Sequence, residues 1–256
     1  MRQQLEQQAG VLRSLAIYYR PGRVRRLSRF YAQFLRPGDL CFDVGAHVGN
    51  RVAAWHRLEA RVVAVEPAAH LIAWLERFYG HTPDVTLVQA AVGATPGAAN
   101  LRQDPRNPTV ATLSESWISA VSREASFSDV RWRAAELVTV TTLDALIARH
   151  GLPQLCKLDI EGFEAEALRG LSRPVPVISF EYIPAAMDVA RECVARLAEL
   201  GRYEFNWFSG ESHVFAATEW LAAASINEVM DQLEAGRESG DIFARLASVA
   251  GDRRVS

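Results

Sequence analysis

The stretch Asp39-Leu-Cys-Phe-Asp-Val-Gly-Ala-His-Val-Gly-Asn50 restricts the possible folds more than any other part of the chain. Leu40 to Val44 reads as a short buried strand, Gly45 to Gly49 as a tight turn, Asn50 to Leu58 as a helix, and Arg61 to Val65 as a second strand. A strand, a glycine corner, a helix and a second strand make a βαβ unit, the building block of a parallel α/β sheet.

The corner also carries chemistry. Gly45 and Gly49 let the backbone turn sharply and approach a ligand, because no Cβ stands in the way. A helix start behind such a turn favours an anionic group, and Glu66 closes the second strand where folds of this kind hydrogen-bond ribose hydroxyls. An anion site beside a diol site implies a nucleoside cofactor. A dinucleotide fingerprint wants G-x-G-x-x-G, whereas residues 45–49 spell G-A-H-V-G and follow Asp43. That acid disfavours a pyrophosphate and suits an ammonium, so the residues point to S-adenosylmethionine. Asp43, Gly45, Ala46, His47, Gly49, Asn50, Glu66 and Pro67 are its candidate contacts, and the small residues Ala90 and Ala91 leave room for a flat adenine.

The chain has 256 residues, enough for one large domain with ample core. No run approaches the roughly 18 apolar residues of a membrane span, and no hydrophobic signal core follows the N-terminus. The cytoplasm is therefore the expected compartment. Three distant cysteines, Cys41, Cys156 and Cys193, indicate neither a disulfide framework nor a zinc site. Residues 1–37 hold eight arginines against one acid, Glu6, a net +7, while the remainder sets 20 basic against 29 acidic residues, −9. An acidic body argues against a nucleic-acid partner. Residues 1–37 are expected to form a basic helical extension, either a solvated cap or a guide toward an anionic acceptor or membrane surface.

Residues 102–135 are polar, rich in breaks, and carry Trp117, Phe127 and Trp132. An insertion of this kind is a candidate lid or acceptor-contacting segment, with Trp117 and Trp132 read either as stacking platforms for a substrate or as buried anchors of an irregular loop. Beyond it, Leu155-Cys-Lys-Leu-Asp-Ile-Glu-Gly162 alternates charged and apolar residues, and period two would set Lys157, Asp159 and Glu161 on one strand face. Lys157 is the only lysine in a chain with 27 arginines. A compact ammonium here reads either as a tuned acid or base or as half of a buried ion pair. Glu181 ends the next strand, at the sheet edge where open α/β folds bind ligands. The four charged residues are the candidate catalytic group, read as an ion-paired acid/base cluster in preference to a metal site. Tyr182 and His213 are further acceptor candidates. Tyr203–Phe208 and His213–Phe215 read as a closing hairpin, and residues 226–256 as a helical, charged tail after a domain spanning 38–225.

Phe42-Asp-Val-Gly-Ala-His-Val-Gly49, Val65-Glu-Pro67, Ala91-Val-Gly93, Thr142-Leu-Asp144, Lys157-Leu-Asp-Ile-Glu-Gly162, Glu164, Leu168 and Phe180-Glu181 together resemble the FkbM family of methyltransferases. His47 departs from the pattern, where the family usually has asparagine. The resemblance implies a class I methyltransferase fold, with a seven-stranded, mostly parallel sheet, one antiparallel edge strand and helices on both faces. It also implies transfer of a methyl group from S-adenosylmethionine, usually to a hydroxyl of a sugar, glycan or natural-product acceptor. A nicotinamide-dependent oxidoreductase is the rival enzyme, disfavoured by the missing glycine and by Asp43. A domain that binds the nucleoside without catalysis is the other rival, against which the charged strand face speaks.

Overall fold

The computed structural model describes residues 2–247. Helices α1 (Arg2–Tyr18) and α2 (Arg23–Tyr31) lead into β1 (Leu40–Val44), α3 (Asn50–His56), β2 (Arg61–Val65), α4 (Ala69–Tyr79) and β3 (Val85–Val88). Next come β4 (Ala91–Val92), β5 (Gly97–Asp104), β6 (Asn107–Thr112), α5 (Glu115–Val121) and β7 (Ala134–Thr141). The chain continues through α6 (Leu143–His150), β8 (Leu155–Leu158), α7 (Glu164–Arg169), β9 (Val177–Tyr182), α8 (Met187–Leu200), β10 (Tyr203–Ser209), α9 (Ala223–Glu234) and β11 (Gly240–Leu246).

Seven strands form the main sheet in the order β10-β11-β9-β8-β1-β2-β3. The pairs from β9 through β8, β1 and β2 to β3 are all parallel. Helices cover both faces, so the central strands β1 and β8 are buried along their whole length and their apolar runs follow from that burial. The chain reverses after β3, crossing to β8 on the other side of β1, and this switch point opens a crevice at the carboxyl ends of the strands.

Two expectations about the C-terminal region are corrected. The antiparallel strand is not at the edge: β11 pairs antiparallel with both β9 and β10, and β10 lies outside it. Residues 213–215 form no strand. His213 has φ +51°, outside the extended region, and Phe215 packs instead on Phe30 and Phe243. The partner of β10 comes from the stretch read as tail, where Ile242, Phe243 and Ala244 are fully buried. The main sheet thus runs to residue 246, past the boundary expected at 225. The last part of the expected tail, 248–256, lies outside the described residues.

The N-terminal region is likewise no appendage. α2 buries Leu27, Phe30 and Tyr31, with Phe30 edge-on to Phe208 and Phe243 and Tyr31 edge-on to Trp55. α1 lies along β6, so close that a Cβ on Gly10 would sit 2.9 Å from Pro108 Cδ and 3.0 Å from the Pro105 carbonyl. The 102–135 insertion is more regular than expected: its two ends and residues 107–112 join a second sheet, β4-β7-β5-β6, and α5 lies between.

Candidate active site

The crevice at the switch point is the candidate site. Its floor is the glycine corner. Gly45 has φ +86° and Gly49 φ +78°, both in the left-handed region. A Cβ at position 45 would run into the carbonyl oxygen of Asp159, so β1 and the end of β8 approach this closely only with glycine there. Gly49 serves the packing behind the corner. A Cβ there would lie 2.8 Å from Leu75 Cδ2, so its absence lets the corner seat against α4.

Glu66 stands over the corner and is 4% exposed. Its Oε2 accepts the backbone N–H of His47 at 2.9 Å and its Oε1 that of Ala68, also at 2.9 Å. A carboxylate has about four acceptor positions, so two remain for hydroxyls of a bound ribose. Burial pushes its carboxyl up to about 7, against the pull of those two N–H groups. Asp43 lies two residues before Gly45, fully buried behind the cleft lining, with no hydrogen-bond partner for either oxygen among the described residues. Burial raises it to about 7 as well, although Arg51 pulls the other way. An orphaned buried carboxyl and a half-used one, flanking a cradle that a Cβ would fill, fit a nucleoside carrying an ammonium. His47, Asn50, Pro67, Ala90 and Ala91 line the same cleft, and Tyr18 from α1 closes over it, edge-on to His47 at 5.7 Å. Ala46 is buried at 1% exposure behind the corner, and neither it nor Gly49 lines the cleft.

At the other end of the cleft the acids gather. β8 stops at Leu158, so the expectation of three charges alternating along one strand is corrected. Lys157 alone sits within the strand, at 0% exposure. Asp159 follows it, and Glu161 lies in a turn at φ +53°. The chain bends there, and the bend brings oxygens of Asp159, Glu161 and Glu181 within 4.8 Å of one another. Asp159 is held by Arg51 at 2.5 Å and lies 3.9 Å from the Lys157 ammonium. Despite burial, those two cations hold its carboxyl down at about 2. Glu161 and Glu181 have neither an ion pair nor a hydrogen bond to their carboxylates among the described residues. Burial, joined for Glu161 by the neighbouring Glu181 charge, lifts both well above the usual carboxylate range.

Lys157 donates to the Leu158 carbonyl at 3.1 Å and to Asp241 Oδ1 at 2.7 Å. Burial alone would lower its pKa, yet Asp241 and Asp159 outweigh it and hold the ammonium charged above its usual range. Arg51, Asp241 and Tyr18 are site residues that the sequence does not single out. Arg51 is one arginine among many, marked only by its place one residue past Asn50, and Asp241 falls in the stretch that reads as tail.

Three acceptor candidates land elsewhere and are corrected. Trp117 is 2% exposed and packs edge-on to Phe127 and Trp132, while Trp132 donates from Nε1 to the Val110 carbonyl at 2.8 Å. They form an aromatic knot that anchors the insertion; Gly162 packs directly on the Trp117 side chain. Tyr182 is 1% exposed and hydrogen-bonds Ser209 within the sheet. His213 does line the cleft, tilted on Phe30 and Phe208, with burial lowering its pKa.

A seven-stranded sheet with its one antiparallel strand next to the edge, and a nucleoside-shaped corner at the switch point, define an S-adenosylmethionine-dependent methyltransferase of class I. The chain matches the family model described as "Methyltransferase FkbM domain" over residues 43–215 and belongs to that family. S-adenosylmethionine is accordingly its cofactor, which sets the nicotinamide reading aside. Among solved structures it is similar to a putative O-methyltransferase from Klebsiella pneumoniae (10% identity, 93% of this chain and 90% of that chain, TM-score 0.47). It is also similar to a TehB-like SAM-dependent methyltransferase from Corynebacterium glutamicum (12%, 92% and 94%, TM-score 0.47). A third likeness is to the precorrin-6y C5,15-methyltransferase of Geobacter metallireducens (13%, 89% and 88%, TM-score 0.45). A search of the curated proteins gives no match.

Proposed function

We propose that the protein is an O-methyltransferase acting on a hydroxyl of a sugar, glycan or natural-product acceptor. The observation that carries this reading is the unpaired Glu161–Glu181 couple at the end of the cofactor cleft. A hydroxyl must lose its proton as it is methylated, and two facing carboxyls that cannot both ionise leave one proton-hungry group near neutral pH.

Glu66 holds the ribose; Asp159 faces the ammonium end, with Asp43 buried behind it; Pro67, Ala90 and Ala91 border the adenine. Bound there, S-adenosylmethionine supplies an electrophilic methyl whose bond electrons leave with the sulfur. Arg51 and Lys157 keep Asp159 ionised and fixed in place. Glu181, beside Glu161, receives the acceptor's proton, while alignment of the hydroxyl in the cleft supplies most of the acceleration. Lys157 itself is not the base, since it is fully buried and its proton is held by Asp241. Asp159-Ile-Glu-Gly162 at the strand end also differs from the Asn/Asp-Pro-Pro-aromatic tetrad of enzymes that methylate exocyclic amines. The exposed Arg25, Arg26 and Arg29 of α2 supply the contact with an anionic surface. Three buried, free cysteines accord with a reducing cytoplasm, and no described helix is long and apolar enough to cross a membrane.

The test is incubation with methyl-labelled donor and a panel of hydroxylated acceptors, with the product mapped by mass spectrometry. Label on oxygen is expected, and Glu181→Gln is expected to lower kcat by about 10²–10⁴-fold while the Kd for S-adenosylhomocysteine is retained. Label on nitrogen, or undiminished turnover in the variant, would overturn the reading.

A further inference from the structure

Lys157 does more than form an ion pair. Its strand, β8, pairs with β9 in the register Lys157↔Ser179, and β9 pairs with β11 in the register Glu181↔Asp241. Ser179 and Glu181 share a face of β9, so the lysine side chain crosses β9 alongside Glu181 to reach Asp241 at 2.7 Å. It spends a second donor on the Leu158 carbonyl and turns its remaining side toward Asp159 at 3.9 Å. It makes no ion pair with Glu181. Asp241 lies on β11, beyond the 43–215 stretch that the family model covers.

We propose that Asp241 is a positioning residue for methyl transfer: by drawing the Lys157 ammonium past Glu181 and holding it on β11, it leaves the Glu181 carboxylate without a counter-ion and so able to take the acceptor's proton. This rests on the O-methyltransferase reading above. Without Asp241 the ammonium would turn to the nearest free carboxylate, and a base neutralised by a cation is a poor base. The groups facing Glu181 are Lys157 of β8, Asp159 and Glu161 in the turn after it, Glu164 of α7 and Asp241 of β11. Arg51 of α3 is engaged by Asp159, and His213, which burial pulls toward neutrality, lies 3.7 Å from Glu211.

The experiment reads both partners directly in the full chain. Carboxyl-¹³C NMR titration, with the Glu181 signal assigned from Glu181→Gln, follows the base. Because the chain has one lysine, a ¹⁵Nζ label gives a single ammonium signal. In Asp241→Asn the Glu181 midpoint is expected to fall by about one pH unit, a tenfold change in its proton dissociation constant, and the Lys157 signal to shift and lose protection from exchange. In the Lys157→Met background the same substitution is expected to move Glu181 much less, and Asp241→Glu to restore the wild-type midpoint. An unmoved Lys157 signal, an unmoved Glu181 midpoint, or equal shifts in both backgrounds would overturn the proposal. Should Lys157→Met not fold, the ammonium signal in Asp241→Asn decides alone. Calorimetry of S-adenosylhomocysteine on the wild type tests the methyltransferase reading separately, since the clamp is read with no cofactor present.

Discussion

A methyl group at position 45 has nowhere to go: the Asp159 carbonyl fills its place, and φ +86° is costly for any residue with a Cβ. Gly45→Ala should therefore cost about 1–3 kcal/mol from the backbone alone, seen as a lower denaturant midpoint, and calorimetry should find cofactor uptake lost. Unchanged affinity would mean that the corner is not the cofactor's seat. Glu66→Gln tests the other side of the cleft. A carboxamide has one acceptor oxygen, so either His47 or Ala68 loses the partner of its N–H, at about 1–3 kcal/mol, and S-adenosylhomocysteine should bind more weakly. Residues like these are legible in the sequence because their chemistry is written locally: a glycine corner after a strand, an acid at a strand end, a single lysine. Asn at position 47 in the family makes physical sense here too, since φ is +50° and Asn and His tolerate the left-handed region better than most residues. Arg51, Asp241 and Tyr18 are illegible because nothing in their neighbours marks them; only the fold brings them to Asp159, Lys157 and His47. Trp117 and Trp132 mislead for the opposite reason. Aromatic residues in a polar stretch look like a platform until they are seen packed on each other.

Helix α1 belongs to the cofactor site although it lies outside the family match. Tyr18 lines the cleft and Tyr19 donates to the Val48 carbonyl in the glycine corner at 3.1 Å. Tyr18→Ala should cost about 0.5–1.5 kcal/mol of stability through the lost edge-on contact with His47, seen as a lower thermal midpoint, and should raise the Kd for S-adenosylhomocysteine by opening the cleft that Tyr18 lines. Elements with their own punctuation are readable from sequence. α6 begins where the Thr142 hydroxyl accepts the Ala145 N–H and ends before Gly151 at φ +103°, a start and a stop both visible in the residues. β11 has no such marks. Its Gly-Asp-Ile-Phe-Ala-Arg-Leu run follows a helix and a charged turn, and only the empty edges of β9 and β10 make it a strand. Similarly, β8 ends early because Gly162 and the left-handed Glu161 turn the chain, which alternation of charge does not reveal.

Taken whole, the molecule carries an unusual load of buried acid, and that sets its response to pH. Burial lifts the carboxyls of Asp43, Glu66 and Glu164 to about 7, and Glu161 and Glu181 are raised well above their ordinary value too. Between the ordinary carboxylate range and these values the folded chain holds protons that the unfolded chain has released, so stability falls as pH rises. His47, lowered to about 4, works the other way, as do His70, His150 and His213, all lowered by burial, and their effect fades as the pH passes their ordinary value of 6.5. From about pH 7 to 8 the acids outweigh the fading histidines, and the denaturant midpoint of the cofactor-free protein should decline across that interval; a flat or rising profile would contradict the buried-acid picture. Assembly has its own order. Until ribosomes have delivered residues 240–246, the hydrogen-bonding edge of β9 stands open beside a lysine that has only Asp159 for a counter-ion. The newborn chain therefore passes through a stage with a bare strand, a surface that invites chaperones, and a polypeptide released before that stretch would lack both the wall that Gly240 and Asp241 give the cleft and the clamp on Lys157.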